Sequence, residues 1–61
     1  MNTLRITLRG SDGYRFTKYV RTDCRNTATE NELRVFVQNE VNQDDYHKAC
    51  GPWTVISSGW E

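Results

Sequence analysis

The sequence predicts an α+β fold: a two-layer ββαβ sandwich with a three-stranded antiparallel sheet in the order 2-1-3 and one helix on one face. Three observations lead there. Two segments, Thr3–Arg9 and Tyr14–Arg21, alternate apolar and polar residues with period two and flank Gly10-Ser11-Asp12-Gly13, a strong turn signal. Beyond a polar stretch, Leu33, Phe36, Val37 and Val41 recur at helical spacing behind capping signals. A last short apolar run, Trp53–Ser57, follows Gly51-Pro52.

In the first strand Leu4, Ile6 and Leu8 point one way and Arg5, Thr7 and Arg9 the other, as in a strand with one wet face. The second strand sets Tyr14, Phe16, Lys18 and Val20 opposite Arg15, Thr17, Tyr19 and Arg21. Residues paired across a hairpin share a face, which fixes the turn length. A four-residue loop would set Leu8 against Arg15 and Ile6 against Thr17, mixing core with solvent. A three-residue loop, Ser11-Asp12-Gly13 with Gly13 left-handed in a bulge, instead pairs Leu8 with Phe16 and Leu4 with Val20. That register leaves Lys18 facing Ile6 on the inner side. An edge strand tolerates such a lysine, which snorkels outward and discourages edge-to-edge association.

Two overlapping capping boxes, Thr27 with Glu30 and Thr29 with Glu32, mark the start of the helix. Its acidic first turn suits the positive helix end. The stripe Leu33, Phe36, Val37, Val41, interrupted by Glu40, is to pack on the sheet, and the pattern fades at Asn42-Gln43. Asp44–Cys50 reads as a loop or a short further turn capped by Asp44. Trp53–Ser57 is the third strand, with Ser58–Glu61 as its extension or a tail. A helix between strands two and three, with strand three docking beside strand one, gives the order 2-1-3 with antiparallel neighbours.

A chain of 61 residues, 36% of them apolar, makes a single domain (1–61) with a small core and no interdomain cleft, so its function belongs on an outer surface. A second copy of the chain or another partner is one source of added stability, so a homodimer is in play. No apolar run is long enough for a membrane span, and Met1-Asn2-Thr3-Leu4-Arg5 does not open a secretory leader. With only Cys24 and Cys50, best read as free thiols, the expected location is cytoplasmic.

The net charge is zero but sorted by position. Residues 1–25 carry six Arg and Lys against two Asp, a net +4, and residues 26–61 carry two against six, a net −4. Alternation places much of the positive half on one surface, where Arg5, Thr7, Arg9, Arg15, Thr17, Tyr19 and Arg21 share the outer face of the hairpin. Exposed strand faces are ordinarily charged and threonine-rich, so such a face by itself is unremarkable chemistry. Guanidinium forks in this number also suit carboxylates on a protein or phosphates of a nucleic acid, with Tyr19 stacking a base in the second case. The zero net charge and the lack of any known nucleic-acid motif weigh toward the protein. Trp53, at the head of an apolar run, belongs to the core, whereas Trp60 after Gly59 either plugs the sandwich or anchors a partner.

No enzyme is expected. His47-x-x-Cys50 with a distant Cys24 is too sparse for a zinc site or a supported nucleophile, and Gly10, Gly13, Gly51 and Gly59 read as turn residues rather than a phosphate loop. No cofactor or metal is called for. In size and layout alone, with no shared motif, the chain resembles compact accessory proteins of phages and mobile elements that inhibit or redirect a host protein. The resulting expectation is a small non-enzymatic protein-binding regulator or inhibitor. It would meet an acidic surface of a host or cellular protein through Arg5, Arg9, Arg15, Tyr19, Arg21 and Trp60. A nucleic-acid-binding regulator using the same face is the alternative.

Overall fold

In the computed structural model, which describes residues 1–61, β1 (Asn2–Arg9) and β2 (Arg15–Thr22) form an antiparallel hairpin. Its register is the one that face parity demands, with Leu8 opposite Phe16, Ile6 opposite Lys18 and Leu4 opposite Val20. Gly10 donates to the Tyr14 carbonyl at 2.8 Å and Gly13 to the Gly10 carbonyl at 3.0 Å, closing the three-residue loop. Gly13 sits at φ 88°, a left-handed conformation that glycine adopts without steric cost. Lys18 meets Glu40 of the helix at 3.2 Å, so its charge is paired above the sheet edge.

α1 (Thr27–Gln43) starts one residue earlier than the capping boxes imply. Asn26, in extended conformation, is the cap: its side chain accepts from the Thr29 backbone N–H at 2.8 Å. Thr27 and Thr29 are thereby inside the first turn, so neither capping box forms. Glu30 instead accepts the hydroxyl hydrogen bond of Ser58, tying the helix start to the last strand.

The sheet-facing side of α1 is also rotated from the expected stripe. Val37 and Val41 are buried and Leu33 packs against them, but Phe36 is 62% exposed. The reason is polar. Gln38 accepts from the Val55 amide at 3.0 Å, while Asn42 accepts from the Trp53 amide at 2.6 Å and donates to the Trp53 carbonyl at 3.1 Å. These bonds turn the Gln38–Asn42 side of the helix toward the third strand and carry Phe36 away from the sheet.

β3 (Thr54–Trp60) runs antiparallel to β1, giving the order β2-β1-β3. The pairing slips between Thr7 and Leu8, where Thr7 faces Ser57 and Leu8 faces Val55. Ile56 is the extra residue of this bulge. Leu4, Ile6, Leu8, Val37, Val41 and Trp53 are the buried core, flanked by Phe16, Val20, Leu33, Val55 and Trp60. No helix is long and apolar enough to cross a membrane.

Between helix and strand, a short 3-10 turn (Lys48–Cys50) folds back on the hairpin. The Cys50 carbonyl accepts from both the backbone N–H and the hydroxyl of Ser11, at 2.9 and 3.0 Å. A Cβ on Gly10 would lie 2.9 Å from that carbonyl oxygen and 3.0 Å from the Trp53 ring. Only glycine lets the ring rest on the hairpin here.

Candidate functional site

The outer sheet face is laid down by the pairs Thr3–Arg21, Arg5–Tyr19, Thr7–Thr17 and Arg9–Arg15, extended by Gly59 and Ser57 of β3. The threonine pair is joined through its hydroxyls at 3.2 Å. Arg9 and Arg15 are direct cross-strand neighbours, both exposed, and neither has an ion-pair partner; Arg21 has none either. Directly opposed like charges on a strand pair work against the sheet, by up to ~1 kcal/mol. Tyr19, 60% exposed, stands between the two arginine groups.

Two of the residues expected at this site are placed differently. Arg5 shares the face but is occupied: its guanidinium lies over Gly59, where a Cβ would be 2.9 Å from Nη2, and pairs with Glu61 at 3.4 Å. Trp60 pairs with Leu4, on the opposite face, and packs against the core. The structure therefore spreads Arg9, Arg15, Tyr19 and Arg21 along one face, with Arg5 already paired and Trp60 turned inward.

The hairpin-turn end holds a second feature, which alternation and spacing do not show. Phe16 stacks on His47 at 5.0 Å with an interplanar angle of 17°, and meets Trp53 edge-on at 4.9 Å. Tyr46 stands edge-on to His47 at 5.0 Å, and Tyr14 to Trp53 at 6.4 Å. Together with Asp12 and Cys50 these rings line an open cleft of about 510 Å³. The one sequence signal for it is the density of aromatics on either side of the two turns, Tyr14 and Phe16 after the first, Tyr46, His47 and Trp53 around the second.

Hydrogen bonds fix the walls of the cleft. The Trp53 indole N–H donates to the His47 carbonyl at 2.8 Å, and the Asp44 carboxylate accepts from the Tyr46 backbone N–H at 2.7 Å. That backbone N–H, with His47 alongside, holds the Asp44 carboxyl below its ordinary pKa. His47 Nδ1 is buried without a hydrogen bond, and lies 3.6 Å from Asp44 Oδ1. Stacking, more than hydrogen bonding, positions this imidazole.

Cys24 and Cys50 are exposed free thiols at opposite ends of the hairpin, so Cys24, His47 and Cys50 do not converge. Val35 and Phe36, both 62% exposed, make a separate apolar spot on the outer side of α1. No protein-family model matches the chain, and no curated protein or solved structure does.

Proposed function

We propose that this chain is a small non-enzymatic protein-binding regulator or inhibitor that docks its outer sheet face onto an acidic surface of another protein in the cytoplasm. The observation that carries this reading is the opposed Arg9–Arg15 pair, without a carboxylate of its own, on the same face as the exposed Tyr19 and, at the far end of the strand, Arg21. A partner carboxylate between the two guanidinium groups replaces their repulsion with charge-assisted, bidentate hydrogen bonds. Tyr19 supplies a rigid aromatic contact of the kind found at interface centres. Standard interfaces take ~800 Å² from each partner, roughly a fifth of this molecule's 4196 Å², so one whole face is the natural unit of contact.

A protein fits better than a nucleic acid. Net charge is zero, whereas nucleic-acid-binding domains are usually basic, and Tyr19 is the one aromatic among the hairpin's outward residues, where single-strand platforms stack several bases.

The test is affinity capture from host lysate with wild type and an Arg9→Glu/Arg15→Glu double variant, followed by cross-linking to the captured protein. The expected result is a partner that is lost in the variant, weakens with salt and cross-links at an Asp- or Glu-rich surface. Identical partner lists would sink the proposed face. Oligonucleotide binding whose log–log salt slope falls in the double variant would replace the protein reading with the nucleic-acid one.

A further inference from the structure

The aromatic cleft lies on the helix side of the sheet and does not depend on the arginine face. Its volume of about 510 Å³ is in the ~300–1,000 Å³ range of ligand sites. It is open rather than enclosed, which suits a side chain reaching in from a partner's surface. We infer that this cleft receives an arginine side chain of a protein partner, held by the exposed Tyr14 and Tyr46 rings and the Asp12 carboxylate over a floor closed by Trp53.

Charge decides in favour of a cation. The exposed rings of Tyr14 and Tyr46 carry negative π-faces and phenolic oxygens, and Asp12 is the one carboxylate among the lining residues. No lysine or arginine lines the cleft, and its one basic side chain, His47, is stacked under Phe16 with Nδ1 3.6 Å from Asp44. The nearest lysine in the loop, Lys48, is drawn off by Asp45 at 2.9 Å. Asp12 spends one oxygen on the Tyr14 backbone N–H at 3.0 Å, which fixes the carboxylate at the mouth. A guanidinium fits these groups better than an ammonium, because its plane stacks on a ring while its edge donates a fork to a carboxylate.

The cleft is also built before any ligand arrives. Trp53 is held at both backbone groups by Asn42 and at its indole N–H by the His47 carbonyl, with its ring against Gly10. Tyr14 and Tyr46, 65% and 86% exposed, stand at the rim of this fixed floor. Such preorganisation lowers the ordering cost of binding.

The test is an NMR titration of the full chain with acetyl-Gly-Arg-Gly-amide against its neutral near-isostere, acetyl-Gly-citrulline-Gly-amide. The arginine peptide is expected to shift the Trp53 indole N–H and the Tyr46 and Cys50 amides. It should bind roughly 2–30-fold tighter than the citrulline peptide, the span of cation–π energies from exposed to desolvated sites. Asp12→Asn retains the Asx turn that orders the loop but not the charge, and is expected to lower affinity for the arginine peptide alone. Tyr46→Ala, at an exposed position, should weaken it without unfolding the chain. The capped arginine peptide carries no carboxylate for the arginine face to grip, so failure of that face and failure of the cleft are separate results. Equal affinity for the two peptides, an absence of shifts, or shifts confined to β1 and β2 outer-face residues would each overturn the assignment.

Discussion

The outer face of the sheet and the aromatic cleft sit on opposite sides of the same hairpin and are made in opposite ways. On the outer face a local rule suffices, since two neighbouring strands alternate and every second side chain lands on one surface, outside the buried core. The cleft needs the hairpin turn, the Asp44–Cys50 loop and Trp53 to meet, and its tryptophan is also part of the buried core. The difference teaches where stability and recognition are separable. Charges on the outer face can be changed with little effect on folding, whereas the floor of the cleft is the end wall of the core.

Removing Trp53 is the most severe way to test that division. Trp53→Ala deletes a ring that is 3% exposed and touches both the hairpin and the helix, and large aromatic truncations in cores cost ~3–5 kcal/mol. In a domain of this size such a loss is expected to leave the chain largely unfolded under native conditions, as read by circular dichroism and amide dispersion. Survival of a cooperative fold would show that the cleft is an appendage and not the end of the core.

A milder version asks what holds the ring in place. Asn42→Ala strips the partners from the backbone N–H and C=O of Trp53, and leaving such part-buried groups unpaired costs ~1–3 kcal/mol. Chemical denaturation should report that loss, with Trp53 fluorescence changed already in the native state. Equivalent stability to wild type would mean that water replaces Asn42 and that the cleft floor is less fixed than the hydrogen bonds suggest.

The same two regions explain how much the sequence discloses. Face parity was enough for the two hairpin strands, their register and Gly13, because in a hairpin the next partner is always a near neighbour; the third strand, expected at Trp53–Ser57, runs Thr54–Trp60. Face parity also placed Arg9, Arg15, Tyr19 and Arg21 on one surface. It missed the occupation of Arg5, because Glu61 lies fifty-six positions away and only the third strand brings it across Gly59. Apolar periodicity found α1 but misassigned Phe36, since spacing alone does not register that Gln38 and Asn42 bind backbone groups of residues 53 and 55. At the helix start, Asn26, Thr27 and Thr29 are all competent caps; Asn26 takes the role, while Glu30 is bonded to Ser58, a contact across the fold that local sequence does not register. The cleft is the extreme case, being entirely non-local.

On the outer face the expected sign is reversed. Arg15→Glu converts the opposed like-charge pair with Arg9 into an opposite-charge pair, and cross-strand pairs of this kind contribute ~0.2–1 kcal/mol. The variant is expected to be slightly more stable than wild type in denaturant and to bind an acidic partner more weakly. A protein that becomes more stable as it loses its partner would show that Arg9 and Arg15 are retained for recognition. Lower stability in the variant would instead assign Arg15 a structural role and weaken the case for the face.

The smallest effect is the pH dependence of the loop that carries Tyr46 and His47. The Asp44 carboxyl is held below its ordinary value chiefly by the Tyr46 backbone N–H, so the folded state favours the carboxylate more than the unfolded chain does. For a depressed carboxylate the contribution is fully present above the unfolded pKa and is lost as pH falls through the lower, folded value. Stability should therefore decline on acidification through that window, and Asp44→Asn should remove this part of the slope while keeping a side-chain acceptor for the Tyr46 amide. The charge is solvent-exposed, so the change is small and also falls with added salt. Denaturation midpoints of wild type and variant across acidic pH measure it, and the outer-face variant Arg15→Gln, which adds no group that titrates there, serves as the control that leaves Asp44 untouched. Parallel wild-type and Asp44→Asn curves would mean that the loop, and with it the Tyr46 wall of the cleft, is not held by this carboxylate.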